Sequence, residues 1–335
     1  MKLASVRHEG RDLVVAELAP DTLVDLSELL TAGVRGDRSS TAASVGTMLD
    51  VIASGDYLMR ELDAALAAAR AQPDSLRTIA ADAVTWYPPV RARKICAVAM
   101  NHSASNARKI SAPDHPVFFV KPGSCLVGHL EPVRIRRYYG SVHPEPELAA
   151  VIGRKTRDVD ARDALAAIFG YSIFDDVTSD GMHAEDRLHY WADGKSAGAN
   201  DAERVVRHVS YSGRAKGSDT FGVLGPWLVT CNDVPDPDDL DVRLSIGGET
   251  VVEGNTRDYD HKAAEVVSFI SQFHTLEAGD VVAFGAALTP GTARTPADAD
   301  LQQAPGPIEI AIEGLGVQRN AVVIEDRPLG AWRLR

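Results

Sequence analysis

HPEPELAAVIG, residues 143–153, and GYSIFDDVT, residues 170–178, decide how this chain folds. LAAVIG and GYSIF are short, unbroken apolar runs bounded by polar or turn residues, the pattern of strands buried inside a sheet. Glu145 and Glu147 stand two positions apart, so an extended backbone turns both to one face. Asp176 closes the second run 29 residues beyond Glu147. Three carboxylates on neighbouring strands repel unless a cation sits among them. An all-oxygen set suits a hard divalent ion such as Mg2+ or Mn2+ rather than zinc. Acidic residues are also common on solvent-facing strands, but these lie at the mouths of runs that must be buried. That placement favours a metal site at Glu145, Glu147 and Asp176. His143, just before Pro144, reads as a turn residue.

Working outward, residues 3–7 and 12–18 read as two strands of a hairpin around a turn at 8–12. Segments 22–33 and 41–71 read as helices. In the second, Val45, Met48, Leu49, Ile52, Leu58, Leu62 and Leu66 recur near helical spacing before Pro73 stops it. A small α+β N-terminal domain therefore spans 1–75, with a linker at 76–93 that contains Pro88 and Pro89. From 94 to 335 the texture is short apolar or β-branched runs separated by Gly, Pro and Asp turns. Helices are expected there only at 160–167, 184–190 and 261–272. Residues 245–249, Ser-Ile-Gly-Gly-Glu, mark a hairpin turn. The fold class is α+β: a mainly antiparallel, rolled or barrel-like β domain behind the small N-terminal unit.

Bulk properties narrow the function. The 335 residues carry 45% hydrophobic and 24% charged residues, an ordinary globular composition. A net charge of −12 argues against a nucleic-acid or anionic-membrane surface, though local Lys or Arg can still hold a small anion. No apolar run is long enough to span a bilayer, and MKLASVRHEGRD lacks a signal-peptide core. Cys96, Cys125 and Cys231 sit apart in apolar surroundings without a CxxC, which fits buried thiols in a reducing cytoplasm.

Two lysines join the candidates. Lys216 lies in the Gly/Ser-rich stretch GRAKGSDTFGVLGPW, where it can reach into a pocket toward a carboxylate or enolate. Asp219 is placed to cap that turn or orient Lys216. Lys121 follows the apolar run VFFV and is a further contact for an anionic substrate. Most lysines are merely solvated, so neither signal is specific alone.

Together these motifs resemble the fumarylacetoacetate hydrolase family. ICAVAMNH, FFVKPGS, HPEPELAAVIG, GYSIFDDVT, KGSDTFGVLGPWLVT, GNTRD and LEAGDVVAFG follow its order and spacing over roughly residues 94–290. The resemblance implies a mixed β-roll, a homodimer, and a Mg2+, Mn2+ or Ca2+ ion bound by Glu-x-Glu plus Asp, here Glu145, Glu147 and Asp176. It places the family's lysine on Lys216. Members cleave carbon–carbon bonds in acylpyruvates and related diketo acids; others decarboxylate, tautomerise, isomerise or dehydrate 2-oxo acids. The implied common step is a ketone polarised by the metal and an enolate stabilised as it forms.

The chain departs from the family around that core. Against the hydrolytic pattern N-Y-x-x-H-x-x-E stand residues 101–108, with His102 at the Tyr position, Ser105 at the His position and Arg108 at the Glu position. A serine with no partner base is a poor general base. The family's R-D-x-Q becomes Asp180-Gly181-Met182-His183, and T-G-T-P becomes Phe284-Gly285-Ala286-Ala287. His102 and His183 are the expected replacements for the missing acid–base group. Ser105 and Gly285, with Lys121 and Asp219, complete the expected substrate-binding set. His189, Tyr190 and Trp191 form either a lid over the pocket or a surface cluster. The lost Arg and Thr point to a substrate larger or less polar than oxaloacetate. The leading expectation is hydrolysis of a carbon–carbon bond in a diketone or acylpyruvate-like 2-oxo acid. Decarboxylation, isomerisation or dehydration at the same site is the second, and a non-catalytic metal-binding protein the third.

Overall fold

The computed structural model describes residues 1–33, 45–73, 76–194, 203–291 and 295–330. Its centre is the pair of strands read first in the sequence. Pro146–Ile152 is buried at every position, and Ile168–Asp176 at all but Phe169. They pair antiparallel, with Pro146 opposite Asp175, Glu147 opposite Phe174 and Leu148 opposite Ile173. The helix Ala161–Ala164 and the turn Leu165–Ala167 carry the chain between them.

Both faces of this pair are covered, which is why the runs read as continuously apolar rather than alternating. Leu148, Ala150, Ile152, Tyr171 and Ile173 enter one core; Ala149, Val151 and Phe174 enter the other. Each large aliphatic side chain so buried contributes about 1.5–3 kcal/mol. By the same alternation Glu147 and Asp176 project toward the side of Phe174.

Thirteen strands form one mixed sheet. Its hydrogen-bonded order starts with Thr78–Ala80, Thr22–Asp25, Arg11–Ala19 and Lys2–His8, passes through Leu228–Thr230 to the central pair, and ends at Val281–Ala286, Lys94–Val98 and Phe118–Pro122. It does not close into a barrel. The N-terminal strands are built into this sheet: Lys2 pairs with Val229 and Leu3 with Leu228. Leu3, Leu62 and Leu66 share a core with Ile95, Val151 and Phe174. A second sheet of four strands includes the hairpin Asp241–Ile246 and Glu249–Asn255. Gly247 and Gly248 at its turn both have positive φ, as a type I′ turn requires.

Three expected helices are otherwise. Residues 22–25 extend as a strand, because Leu23 and Val24 bury against the Arg11–Ala19 strand; the helix begins at Leu26. Residues 184–190 divide between a short helix, Asp180–Glu185, and the strand Arg187–Gly194, which pairs with Glu203–Ser210 as a two-stranded ribbon. Cross-strand pairing overrides a helical pattern only seven residues long. The expected 41–71 helix starts at Met48 and is interrupted at Ser54; residues 41–44 lie outside the described residues. No described helix is long and apolar enough to cross a membrane.

Candidate metal centre and active site

Antiparallel pairing closes the sequence gap between the carboxylates. The Asp176 N–H donates to the Glu145 carbonyl at 3.1 Å, which sets these residues opposite each other at the end of the central pair. Glu147 lies one strand position further in. One oxygen from each of Glu145, Glu147 and Asp176 falls within 4.8 Å of the others. The trio expected from the sequence therefore converges.

Two ammonium groups hold the trio in place. Lys216 Nζ lies 2.8 Å from Glu145 Oε2, 2.7 Å from Asp176 Oδ2 and 2.7 Å from Thr178 Oγ1, which uses all three of its protons. Lys121, fully buried, donates to the other oxygen of Asp176 and, at 2.8 Å, to the Phe221 carbonyl. It is thus a support beneath Asp176 rather than a group open to substrate. His143 is buried too, its Nε2 3.2 Å from Glu145 Oε1 and its Nδ1 3.1 Å from Asp180 Oδ2. The turn role read for His143 is therefore incomplete; its ring is part of the site.

The electrostatics divide the trio. Burial opposes charge on Glu145, but Lys216 and then His143 outweigh it and hold this carboxyl well below its usual range. Burial also opposes charge on His143, yet its bonds to Asp180 and Glu145 push the ring up to about 9. Among the described residues, no lysine is bonded to Glu147. Burial, followed by the charges of Asp176 and Glu145, pushes its carboxyl well above the usual range, and the Gly285 N–H donates to its Oε2 at 3.1 Å. Asp175, beside the trio, is raised to about 8 mainly by burial; its Oδ1 accepts from the Glu145 N–H at 2.9 Å while Oδ2 is buried without a partner. The negative charge that the lysines leave unmet thus centres on Glu147, within an all-oxygen donor set. Those residues fit a divalent cation of the Mg2+, Mn2+ or Ca2+ kind.

Gly285 acts through its backbone. Its φ of +93° and the approach of Val98 O, 3.0 Å from where a Cβ would stand, exclude a side chain without strain. Its N–H holds Glu147 and its carbonyl accepts from Tyr259 Oη at 2.8 Å. Tyr259 in turn forms a backbone bridge with His102. This wall of contacts ties the segment of buried His102 to Gly285 and, through it, to Glu147. Asn101 fastens the same wall, its amide donating to the Phe284 and His261 carbonyls at 2.9 and 3.0 Å.

Other expected site residues sit elsewhere. Ser105 is fully buried, its hydroxyl 2.7 Å from the His102 carbonyl and 3.3 Å from that of Met100, so it closes the turn Ser103–Arg108. The Arg108 side chain lies outside the described residues. His183 is exposed on the short helix after Ser179, and its carbonyl accepts from Ser210. Asp219 is exposed and lines a 480 Å³ groove with Arg134, Arg136 and Glu325, on the outside of the Lys216 turn. Tyr190 and Trp191 are exposed on the ribbon, whose connecting residues 195–202 lie outside the described residues. Burial pushes each cysteine thiol up to about 11, so none is a thiolate nucleophile at neutral pH.

Sequence reasoning singled out Asp180 as a departure from the family's Arg but not as a partner of His143, and it missed Thr178 and Tyr259. Thr178 was legible only as a neighbour of Asp176, and nothing local marks Tyr259, 83 residues further on.

Comparison with known proteins adds to this geometry. The family described as Fumarylacetoacetate (FAA) hydrolase C-terminal matches residues 94–323. An uncharacterized protein of Archaeoglobus fulgidus is 31% identical over 248 residues, 74% of this chain and 85% of its own length. One of Pyrococcus abyssi is 33% identical over 243 residues, 72% of this chain and 94% of its own. Among solved structures, fumarylacetoacetate hydrolase from Exiguobacterium antarcticum superposes with a TM-score of 0.70 at 25% identity, over 97% of this chain and 100% of that one. Maleylpyruvate hydrolase from Sphingobium sp. SYK-6, in complex with manganese and pyruvate, shares the fold with a TM-score of 0.67 at 24% identity, over 97% and 99%. The chain belongs to the fumarylacetoacetate hydrolase family.

Proposed function

We propose that this protein is a divalent-cation-dependent hydrolase that cleaves a carbon–carbon bond in a diketone or acylpyruvate-like 2-oxo acid. The observation that carries this reading is the convergence of Glu145, Glu147 and Asp176 with Lys216 bonded among them. Relatives in fold include a maleylpyruvate hydrolase bound to manganese and pyruvate, the kind of ligand such a carboxylate set suits. Glu145, Glu147 and Asp176 would hold a Mg2+, Mn2+ or Ca2+ ion, which would supply Lewis-acid polarisation of the 2-oxo group and stabilisation of enolate charge.

The chain's own residues supply the rest. Lys216 places a permanent positive charge beside the carboxylate or enolate end of the substrate. His102, on the wall that Tyr259 and Gly285 link to Glu147, takes a proton from water as the water oxygen bonds to the distal carbonyl carbon. The carbon–carbon bond then breaks, its electron pair passing into the enolate, which regains a proton on carbon. The usual Arg and Thr positions carry Asp180 and Ala286, so the distal part of the substrate is less anionic and more apolar than oxaloacetate. We also propose a homodimer, as the resemblance implies, working in a reducing cytoplasm, in keeping with the free cysteines.

Decarboxylation or isomerisation is the second reading, favoured by one observation: Ser105 is committed to backbone carbonyls and cannot replace the family's base. A panel of 2-oxo acids with Mg2+ in heavy-oxygen water separates the two, because hydrolysis places label in a new carboxylate. Glu147→Ala is expected to lower turnover by at least ~10³-fold, about 4 kcal/mol of barrier. His102→Ala is expected to lower it by ~10²-fold or more. Unchanged turnover in His102→Ala removes His102 from the mechanism, and tight, productive turnover of oxaloacetate overturns the substrate class.

A further inference from the structure

We infer that His143, anchored by Asp180, is a positioning residue that orients Glu145 toward the divalent cation. This rests on the cation site proposed above and goes beyond the Glu-x-Glu plus Asp set itself.

The ring has little freedom. Its side chain is 4% exposed, and its backbone belongs to the two-residue strand Val142–His143, paired with Thr178–Ser179. Thr178, opposite His143, is the residue that accepts from Lys216. The imidazole therefore hangs from the same backbone ladder as Thr178, to which the lysine that contacts both Glu145 and Asp176 is bonded.

Nε2 is hydrogen-bonded to Glu145 Oε1 at 3.2 Å, while Nδ1 lies 3.1 Å from Asp180 Oδ2, an ion-pair distance without hydrogen-bond alignment. An ionised carboxylate only accepts, so Nε2 is the nitrogen that brings a proton to Glu145. The Glu145 oxygens are thereby divided: Oε1 belongs to His143, and Oε2 is the oxygen that shares Lys216 with Asp176. A carboxylate pinned by one oxygen cannot swing about its terminal torsion, which is otherwise broad. Pinning of this kind is how outer partners orient metal ligands and tune affinity.

Asp180 is itself well placed to hold the ring. Ser179 Oγ accepts from the Met182 N–H at 3.0 Å and donates to the Tyr139 carbonyl at 2.6 Å, which fixes the start of the short helix. Gly181 packs so closely that a Cβ there would stand 2.4 Å from the Tyr139 oxygen. Only a glycine lets Asp180 approach this way. The sequence departure at this position thus has a physical counterpart: where the family pattern has Arg, this chain has a carboxylate that meets the imidazole one layer behind Glu145.

The test is Mn2+ titration of the full-length protein by calorimetry, in the parent and in His143→Phe, His143→Gln and Asp180→Ala, with thermal unfolding of each metal-free protein alongside. His143→Phe keeps the ring volume and removes both donors; it is expected to weaken Mn2+ roughly 10–100-fold. His143→Gln, which keeps an N–H for Glu145, is expected to recover most of that loss. Asp180→Ala is expected to weaken Mn2+ several-fold while leaving the metal-free midpoint close to the parent's, since its side chain is half exposed. Binding in His143→Phe and Asp180→Ala indistinguishable from the parent overturns the inference and leaves the cation site standing. A parent that binds no Mn2+ overturns the cation site and this inference with it. Asp180→Ala keeps the test decisive if His143→Phe fails to fold.

Discussion

The floor of the site and its rim are built on opposite terms. Glu145, Glu147 and Asp176 project from the ends of two central strands whose hydrogen-bond register leaves little freedom, and lysines, an imidazole and a backbone N–H surround them. The rim consists of the turn Ser103–Arg108, the helix Asp180–Glu185 and the ribbon beyond it. Apart from Asp180, which reaches His143, the candidate acid–base positions there either serve the backbone, as Ser105 does, or face solvent, as His183 does. A charge cluster needs fixed geometry to be tolerated at all when buried. Acid–base groups need only reach the substrate, so the reaction can change at the rim while the floor keeps its form.

The most damaging way to break the floor is from beneath. Lys121→Met leaves Asp176 buried with Lys216 as its remaining cationic partner. The expected loss is about 3 kcal/mol of unfolding free energy, the lower end for breaking a buried pair. Mg2+ bound to the native state should return part of it, about 2.7 kcal/mol when roughly a hundredfold above Kd. Urea unfolding with and without Mg2+ measures both effects. A Lys121→Met protein as stable as the parent would mean that the floor does not depend on this ion pair.

The same contrast explains what was legible beforehand. The floor could be read because its signals are local: Glu145 and Glu147 share a face by strand period, and apolar runs on either side require their burial. Lys216 and Asp176 add a recognisable spacing, so the family resemblance and the mixed sheet followed. Lys121 was found but misassigned, since a sequence does not say whether a lysine faces substrate or stands behind a ligand. His143 and Asp180 face each other through the pairing of 142–143 with 178–179, strands of two residues that no periodicity can announce. Tyr259 joins the wall only through contacts far apart in sequence. The ribbon at 187–194 was read partly as helix because its strand partner, 203–210, lies beyond an eight-residue connection.

Acid should act on the fold through a residue outside both regions, which allows the floor's own pH response to be isolated. His129 is mostly buried against Trp86, with its Nδ1 accepting from the Arg319 N–H at 3.0 Å. Burial, then the charge of Arg319, lowers its ring to about 4 from an ordinary 6.5. Below pH 6.5 the unfolded chain takes up a proton that the native ring refuses until about pH 4. The contribution is therefore intact above 6.5 and is lost as pH falls toward 4, on the order of 1–3 kcal/mol after allowing for partial exposure. His129→Asn keeps an acceptor for Arg319 and should flatten that slope in denaturation measured across this range. An unchanged slope would assign the acid sensitivity to other groups, the carboxylates of the floor first among them.

The rim should tolerate what the floor cannot. Ser105→Ala removes a buried hydroxyl bonded to two carbonyls and should cost about 1 kcal/mol of stability, with turnover within ~3-fold of the parent. His183→Ala should do less still, within about 0.5 kcal/mol, because the side chain is exposed and the bond to Ser210 is made by its carbonyl. Steady-state kinetics beside thermal unfolding reads both variants. A tenfold or greater fall in kcat with stability intact in either one would show that this residue reaches the substrate after all. For His183 that would require the Asp180–Glu185 helix to turn its outer face inward on binding, and the rim would then be a moving part rather than a fixed one.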